Sequence, residues 1–209
     1  EIDNDANLGA LGELVWGAAR GVENAIYIKI STSIGAGLIV NGRLFRGERG
    51  TAGEIGHMTV EPDGRACFCG NRGCLLTVVG AQALLEQVGH IHGPTLTVEQ
   101  LVELAEQGDR PTTRVLEDAG RYVGVVIGML CNVLNPARVV VGGTLAATGG
   151  PILDAVRVGA RRHALPLTME QVDIVQATLG VNAEVRGAIA LAIRSAAPDR
   201  LFGPVATAR

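Results

Sequence analysis

Aromatic side chains are almost missing from this chain: Trp, Tyr and Phe make up 3% of its 209 residues. A core of any size must therefore be built from Val, Leu, Ile and Ala. No cluster of Lys and Arg stands out, and the formal net charge is -3. These residues lack the electrostatic footprint of a DNA- or RNA-binding surface, so any contact with nucleic acid belongs to another segment. No apolar run reaches the length of a membrane span; the longest, Val123 to Leu134, is interrupted by Gly, Cys and Asn. No signal peptide opens the chain, no internal repeat recurs, and no low-complexity linker divides it. The opening residues, EIDNDAN, carry no initiator Met and lead from a polar cluster straight into a helical pattern. They read as a sequence that begins partway through a larger protein.

The chain that remains is globular in character, with 47% hydrophobic and 19% charged residues. Its length suits one large domain, or one lobe with a piece of another. Asp3 or Asn4 is placed to cap a helix to about Arg20, with Leu8, Leu11, Val15 and Ala19 on one face. Ala25 to Ser31 reads as a strand. The turn SIGAG leads to a second strand at Leu38 to Val40, and Asn41-Gly42 signals a hairpin returning over Arg43 to Phe45. Ile55 to Val60 reads as a further strand. Helices follow at Ala81 to Val88 and at Val98 to Gln107, the latter with a Thr97/Gln100 capping box. A long helix starts near Pro111 and ends before Asn135-Pro136. Arg138 to Val141 and Val172 to Thr178 read as strands, and Pro151 to Arg161 and Glu184 to Ser195 as helices. Apolar strands followed by helices predict an α/β layered fold.

One loop concentrates the rare residues. His57, Cys67, Cys69 and Cys74 form H-x9-C-x-C-x4-C, three of the four cysteines in the chain. Four soft or borderline ligands in so short a span suit a tetrahedral, structural zinc ion, closed by protein ligands with no open position for a reacting water. Gly64, Gly70 and Gly73 let the backbone turn tightly enough to bring the thiols together, and Arg65 and Arg72 stand where they can offset thiolate charge. The alternatives are two: a disulfide, Cys67 to Cys74 or Cys69 to Cys74, which leaves one loop cysteine unpaired and His57 unexplained, or free, scattered surface thiols, which this density of cysteines disfavours. Cys131 lies on the apolar face of the long helix and reads as a small buried hydrophobe.

EIGH followed by CFCGNRGC resembles the signature of the ROK family (repressor, open reading frame, kinase), which contains bacterial sugar kinases and sugar-responsive transcriptional repressors. The resemblance runs from Asn4 to about Ala190. It implies an actin-like, ribonuclease-H-like lobe carrying the zinc loop 57–74, with residues 1–195 forming the second lobe and 196–209 a C-terminal tail. The first lobe and any helix-turn-helix domain are absent from these residues. Asn4-Asp5-Ala6 resembles the family motif whose Asp is the catalytic base of the kinases, since a carboxylate must take the proton of an attacking sugar hydroxyl. Asn4, Asp5, Glu54 and His57 match the sugar contacts, with one ring nitrogen of His57 on zinc and the other on sugar. Read without the resemblance, Asp5 serves as a helix cap and Glu54 as a solvated loop carboxylate.

The phosphate end departs from the pattern. Thr32, Gly35 and Gly37 stand in the family's second phosphate loop, but Ser31 and Ser33 occupy positions where glycine is usual, and side chains obstruct close approach of amides to phosphate. Gly142 and Gly143 resemble the adenosine-side turn. Leu76 stands where the family usually carries a sugar-binding Glu, and a Leu cannot accept a hydrogen bond. The expectation is therefore a sugar-sensing effector-binding and dimerisation domain of a ROK-type transcriptional regulator. It would bind a sugar or sugar phosphate, act as a cytoplasmic homodimer, and reach DNA through a domain outside these residues. An ATP-dependent sugar kinase is the alternative, with Asp5 as base and ATP as cofactor. An actin-like lobe without a ligand is a third reading.

Overall fold

The computed structural model of the chain describes residues 2–196. Its framework is one five-stranded sheet built from β1 (Ala25–Ile30), β2 (Ile34–Val40), β3 (Arg43–Phe45), β4 (Arg138–Gly142) and β5 (Asp173–Gln176), in the spatial order β3-β2-β1-β4-β5. The first three strands form an antiparallel meander, while β4 and β5 join β1 in parallel. Short turns suffice for antiparallel neighbours, and parallel ones need helical crossovers. That is why the four helices α2 (Leu76–Val79), α3 (Ala81–His92), α4 (Val98–Glu106) and α5 (Arg110–Leu134) lie between β3 and β4 in the chain. Between β4 and β5 come α6 (Gly150–His163) and the short α7 (Pro166–Met169). Two helices complete the fold, α1 (Asp5–Trp16) ahead of β1 and α8 (Ala183–Ala196) after β5.

Strand alternation divides the core between the two faces. Ile26, Ile28, Ile30, Val139, Val141 and Ile174 join the main core under α3, α5 and α6. Ala25, Tyr27, Ile39 and Val140 face the other way, against Ala10 of α1 and Ala19. α1 and α8 cross closely on that side. A Cβ on Gly12 would lie 2.3 Å from the carbonyl oxygen of Ala183, and one on Gly187 would lie 1.7 Å from that of Leu8. Only residues without a side chain allow the two backbones this approach.

Several expectations hold. The Thr97/Gln100 capping box forms with both bonds in place, Asn41 adopts positive φ in the hairpin turn, and Asn135 ends α5 in the left-handed region. Other expectations need correction. Ile55–Val60 is not a strand: Ile55–His57 is a single 3-10 turn, followed by an isolated bridge from Thr59 to Cys74. The backbone there bonds to the cysteine loop, with Leu75 N–H on Met58 O and Val60 N–H on Gly73 O, both 2.8 Å. SIGAG is not a turn either, because β2 already begins at Ile34 and the reversal falls at 31–33. α1 stops at Trp16, four residues early. There the buried carboxylate of Glu13 accepts the Ala18 N–H at 2.6 Å, drawing the chain out of helical conformation at Gly17. The strand expected at Val172–Thr178 is limited to Asp173–Gln176, and the short helices α2 and α7 were not expected. Of the tail expected at 196–209, all but Ala196 lies outside the described residues.

Candidate functional site

The cysteine loop is held by its own backbone before any metal is considered. Cys67 N–H bonds Asn71 O at 2.8 Å, Gly70 N–H bonds Cys67 O at 3.0 Å, and Gly73 N–H bonds Arg65 O at 2.8 Å. Gly73 has φ +62, and a Cβ there would stand 1.5 Å from the Glu61 carbonyl oxygen, so the turn closes only with glycine. This framework carries His57 Nδ1 to 3.6 Å from Cys67 Sγ, and Cys69 Sγ to 3.7 Å from Cys74 Sγ. The four ligand atoms all lie within 4.8 Å of one another, close enough for one cation to reach each. All four cysteines of the chain are free thiols, so the disulfide alternative is not realised. Cys131 is fully buried in the main core, as expected.

The donor set fits a metal. Cys74 is completely buried, and burial, with the neighbouring thiols Cys69 and Cys67 adding to it, pushes its thiol up to about 12. Cys69, exposed at the rim, is shifted down, chiefly by the backbone of Asn71. Packing three sulfurs this closely is costly for thiolates alone, and a bound cation reverses that cost. Arg65 and Arg72, expected to offset thiolate charge, each make a bond that ties the loop. Arg65 reaches Glu86 of α3 at 2.6 Å, and Arg72 bonds the carbonyl of Gly64 at 3.2 Å. Both bonds fasten the loop. Because Nδ1 of His57 faces the sulfurs, Nε2 is the far nitrogen, and no protein group among the described residues bonds it. The ring is braced edge-on by Phe68, with centroids 5.1 Å apart.

α1 and the loop before His57 approach the same part of β2. β3 pairs with Leu38 to Val40 only, which leaves the first half of β2 open. Gly53 O fills that gap by accepting Ala36 N–H at 2.8 Å. On the neighbouring face, a Cβ on Gly37 would come within 2.4 Å of the Ala10 Cβ, so α1 lies directly on the strand. Glu54, an exposed carboxylate three residues before His57, and Asn4 and Asp5 at the start of α1 are thereby attached to one strand. Arg46 ties them further through two bonds to the largely buried Asp3, at 2.9 and 2.6 Å.

The alternatives for the α1 terminus are now decided. Asn4 is the cap, its side-chain oxygen accepting Asn7 N–H at 2.7 Å, which leaves its amide N–H groups for other partners. Asp5 is free of capping and instead meets Lys29 Nζ at 2.8 Å. Lys29 also meets Glu184 at 2.9 Å. Burial opposes the Lys29 charge, but the bonds to Asp5 and Glu184 outweigh burial and hold the ammonium above its ordinary value. Neither Lys29 nor Glu184 was expected in the site. A lone Lys inside AIYIKI was the signal available; nothing near Glu184 in the sequence pointed to it.

The five phosphate-loop positions separate. β1 and β4 are parallel neighbours, so Thr32, Gly142 and Gly143 gather at their carboxyl ends. There Ser31 and Thr144 share a hydroxyl bond of 3.2 Å and Gly143 adopts φ +93. Gly35 and Gly37 lie inside β2, facing Ala6 and Ala10 of α1, where their lack of side chain serves helix packing. Leu76 opens α2 and packs against the main core and Gly80. Among the described residues no helix is long and apolar enough to cross a membrane.

The sequence profile of the ROK family matches residues 1–195. The xylose repressor of Bacillus subtilis is 34% identical over 192 residues, covering 92% of this chain and 50% of the repressor. A glucokinase of Halalkalibacterium halodurans is 35% identical over 202 residues, covering 89% of this chain and 61% of the enzyme. The crystal structure of a ROK family transcriptional regulator homologous to the Escherichia coli MLC protein superposes with a TM-score of 0.83 at 29% identity, over 90% of this chain and 50% of that one. The chain thus spans about half the length of the regulators it matches. A His/Cys cluster on a glycine-turned loop, an α/β sheet of actin-like type and a profile match over nearly the whole length agree: the chain belongs to the ROK family.

Proposed function

We propose that this chain is the second lobe of the kinase-like body of a sugar-responsive transcriptional regulator, serving effector binding and dimerisation in the cytoplasm. The observation that carries the reading is the placement of His57. Its Nδ1 lies among three cysteine sulfurs while Nε2 has no protein partner. A zinc ion held by His57, Cys67, Cys69 and Cys74 would be structural, fixing the ring so that Nε2 meets a sugar hydroxyl, much as outer-shell groups orient metal ligands. Asn4, Asp5 and Glu54 would supply the remaining polar contacts. The regulator reading is supported by the repressors among the relatives and by Leu76, a core-packing hydrocarbon where the family's sugar-binding Glu is usual. Sugar binding would bias the arrangement of the two lobes and so the affinity of the dimer for DNA, which is contacted outside these residues. By linkage, DNA changes sugar affinity by the same factor.

A second reading, an ATP-dependent sugar kinase, is favoured by the presence of Asp5 and by the glucokinase relative. In that case Asp5 is the base, and Thr32, Gly142 and Gly143, at the carboxyl ends of β1 and β4, would lie toward ATP. The test is made on the intact protein with glucose, xylose and N-acetylglucosamine. The regulator reading expects a sugar-dependent change in binding to the upstream DNA of its own operon, and no ADP release in a coupled assay. Sugar-dependent ADP release that disappears in Asp5→Ala would establish the kinase instead. Sedimentation at micromolar concentration checks the dimer.

A further inference from the structure

His57 and Cys74 stand on two segments that are zipped together by their backbones. Leu75 N–H bonds Met58 O at 2.8 Å, and the N–H groups of Val60 and Glu61 both bond Gly73 O, at 2.8 and 3.2 Å. Glu61 ends this ribbon. Gly64 N–H returns to its carbonyl at 2.8 Å, and only a glycine at 73 lets that carbonyl lie against the other segment. The Glu61 side chain crosses to the helical layer, where its carboxylate accepts the hydroxyl of Tyr122 of α5. Among the described residues no other group bonds that carboxylate. Glu61 and Tyr122 both line a cavity of about 140 Å³, shared with Asp118, whose own carboxylate bonds Arg121. With room beside it and a like charge on the same cavity, the Glu61 carboxylate keeps its place through the Tyr122 hydroxyl.

Tyr122 itself stands on a fixed base. Val123, Val126 and Ile127 of α5 are completely buried in the main core. A Cβ on Gly120 or Gly124 would lie 2.5 Å from the carbonyl oxygen of Ile152 or Val156, so α5 meets α6 backbone to backbone on either side of Tyr122. A second tie from the loop to the helices, Arg65 to Glu86, joins side chains that are 66% and 44% exposed, where solvent weakens an ion pair. Resting on the zinc reading of the loop, we propose that Tyr122 is a positioning residue for the metal centre. Acting through Glu61, it ties the far end of the ribbon to α5 and so holds His57 and Cys74 at the spacing one ion requires. Tyr122 is not itself a ligand. Ligands already held in place lose less freedom when an ion binds, so the ion binds more tightly and leaves more slowly.

Competition for zinc between the intact protein and a chromophoric chelator tests this, giving the affinity and the release rate of the metal. Tyr122→Phe keeps the ring and removes the hydroxyl, and should weaken zinc binding about tenfold, as loss of an outer-shell bond does. Glu61→Ala should match it, and the double variant should be no weaker than either single one, because the two residues form one link. Glu61→Gln keeps an oxygen for the Tyr122 hydroxyl and should bind zinc nearly as wild type does. Arg65→Ala should change the affinity by no more than about twofold. Cobalt, whose thiolate bands report the ligand geometry, should follow the same order. Melts of the metal-depleted proteins separate this from a general loss of stability. A merely structural bond would lower those melts and leave the zinc affinity unmoved, which overturns the inference. Additive losses in the double variant overturn it as well, since Tyr122 then acts without Glu61. Zinc bound equally tightly by wild type and Tyr122→Phe overturns the inference alone, with the zinc reading intact. A wild type that takes up no zinc overturns the zinc reading and this inference together.

Discussion

Removing the zinc proposed for the His57/Cys67/Cys69/Cys74 loop is the perturbation with the largest expected effect. Four ligands around zinc at tetrahedral angles, with Zn–S near 2.3 Å and Zn–N near 2.0 Å, put sulfurs about 3.8 Å apart and sulfur–nitrogen pairs about 3.5 Å apart. The loop places Cys69 and Cys74 Sγ 3.7 Å apart, and Cys67 Sγ 3.6 Å from His57 Nδ1. Those two edges match a zinc tetrahedron and the remaining pairs lie within 4.8 Å, so the ligand atoms need to draw together by no more than about 1 Å to share one ion. Structural zinc in short peptides contributes about 10–16 kcal/mol, comparable to the whole stability of a domain. The loop retains its own backbone bonds without metal, so half of the lower figure, about 5 kcal/mol, is a conservative loss. For a unit of this size that lowers the melting temperature by about 10–20 °C. The assay combines elemental analysis of the purified protein, X-ray absorption at the zinc edge and calorimetric melts before and after chelation. One zinc per chain is expected, with three sulfurs and one nitrogen around it. A protein that contains no zinc, takes none up on addition, and melts unchanged in chelator would refute the reasoning.

Other outcomes follow from single contacts. Glu13→Ala leaves the donors of Ala18, Thr178 and Leu179 without their buried acceptor, bonds of 2.6, 3.2 and 2.9 Å. At about 1 kcal/mol each the loss is about 3 kcal/mol, read as a lower urea midpoint. Gly187→Ala sets a methyl 1.7 Å from the Leu8 carbonyl oxygen and forces α1 from α8. It should cost about 2–3 kcal/mol in the same measurement, more than overpacking a yielding side chain. Asp109 caps α5, and its bonds from Thr112, with His92 beside it, hold its carboxyl below the usual carboxylate range. A depressed carboxyl stabilises the fold above its unfolded value of about 3.9, and that contribution disappears as pH falls through the lower folded value. Asp109→Ala should therefore lower the urea midpoint at pH 7, and the difference from wild type should shrink below about pH 4.

How much was legible depended on how local each feature is. The cysteine loop, the Thr97/Gln100 box and the Asn41-Gly42 hairpin are short-range patterns, with every determinant within a few residues of the next. Their chemistry could be read before any fold was known. Ile55 to Val60 read as a strand, yet the segment turns because its backbone partners lie in the loop that carries Cys74. The end of α1 was misplaced because the Glu13 carboxylate that takes the Ala18 N–H is itself held by Leu179, far along the chain.

The sequence by itself determined the α/β class, the grouping of His57 with the three loop cysteines, and the membership implied by the loop. Spacing over a few residues constrains geometry almost completely. Only the tertiary structure decided that Asn4 rather than Asp5 caps α1, that Gly35 and Gly37 serve helix packing, and that Lys29 stands between Asp5 and Glu184. Those three charges come from the two ends of the described chain and a central strand. No periodicity links them, and they meet because two glycines let α1 and α8 cross at backbone contact over β1.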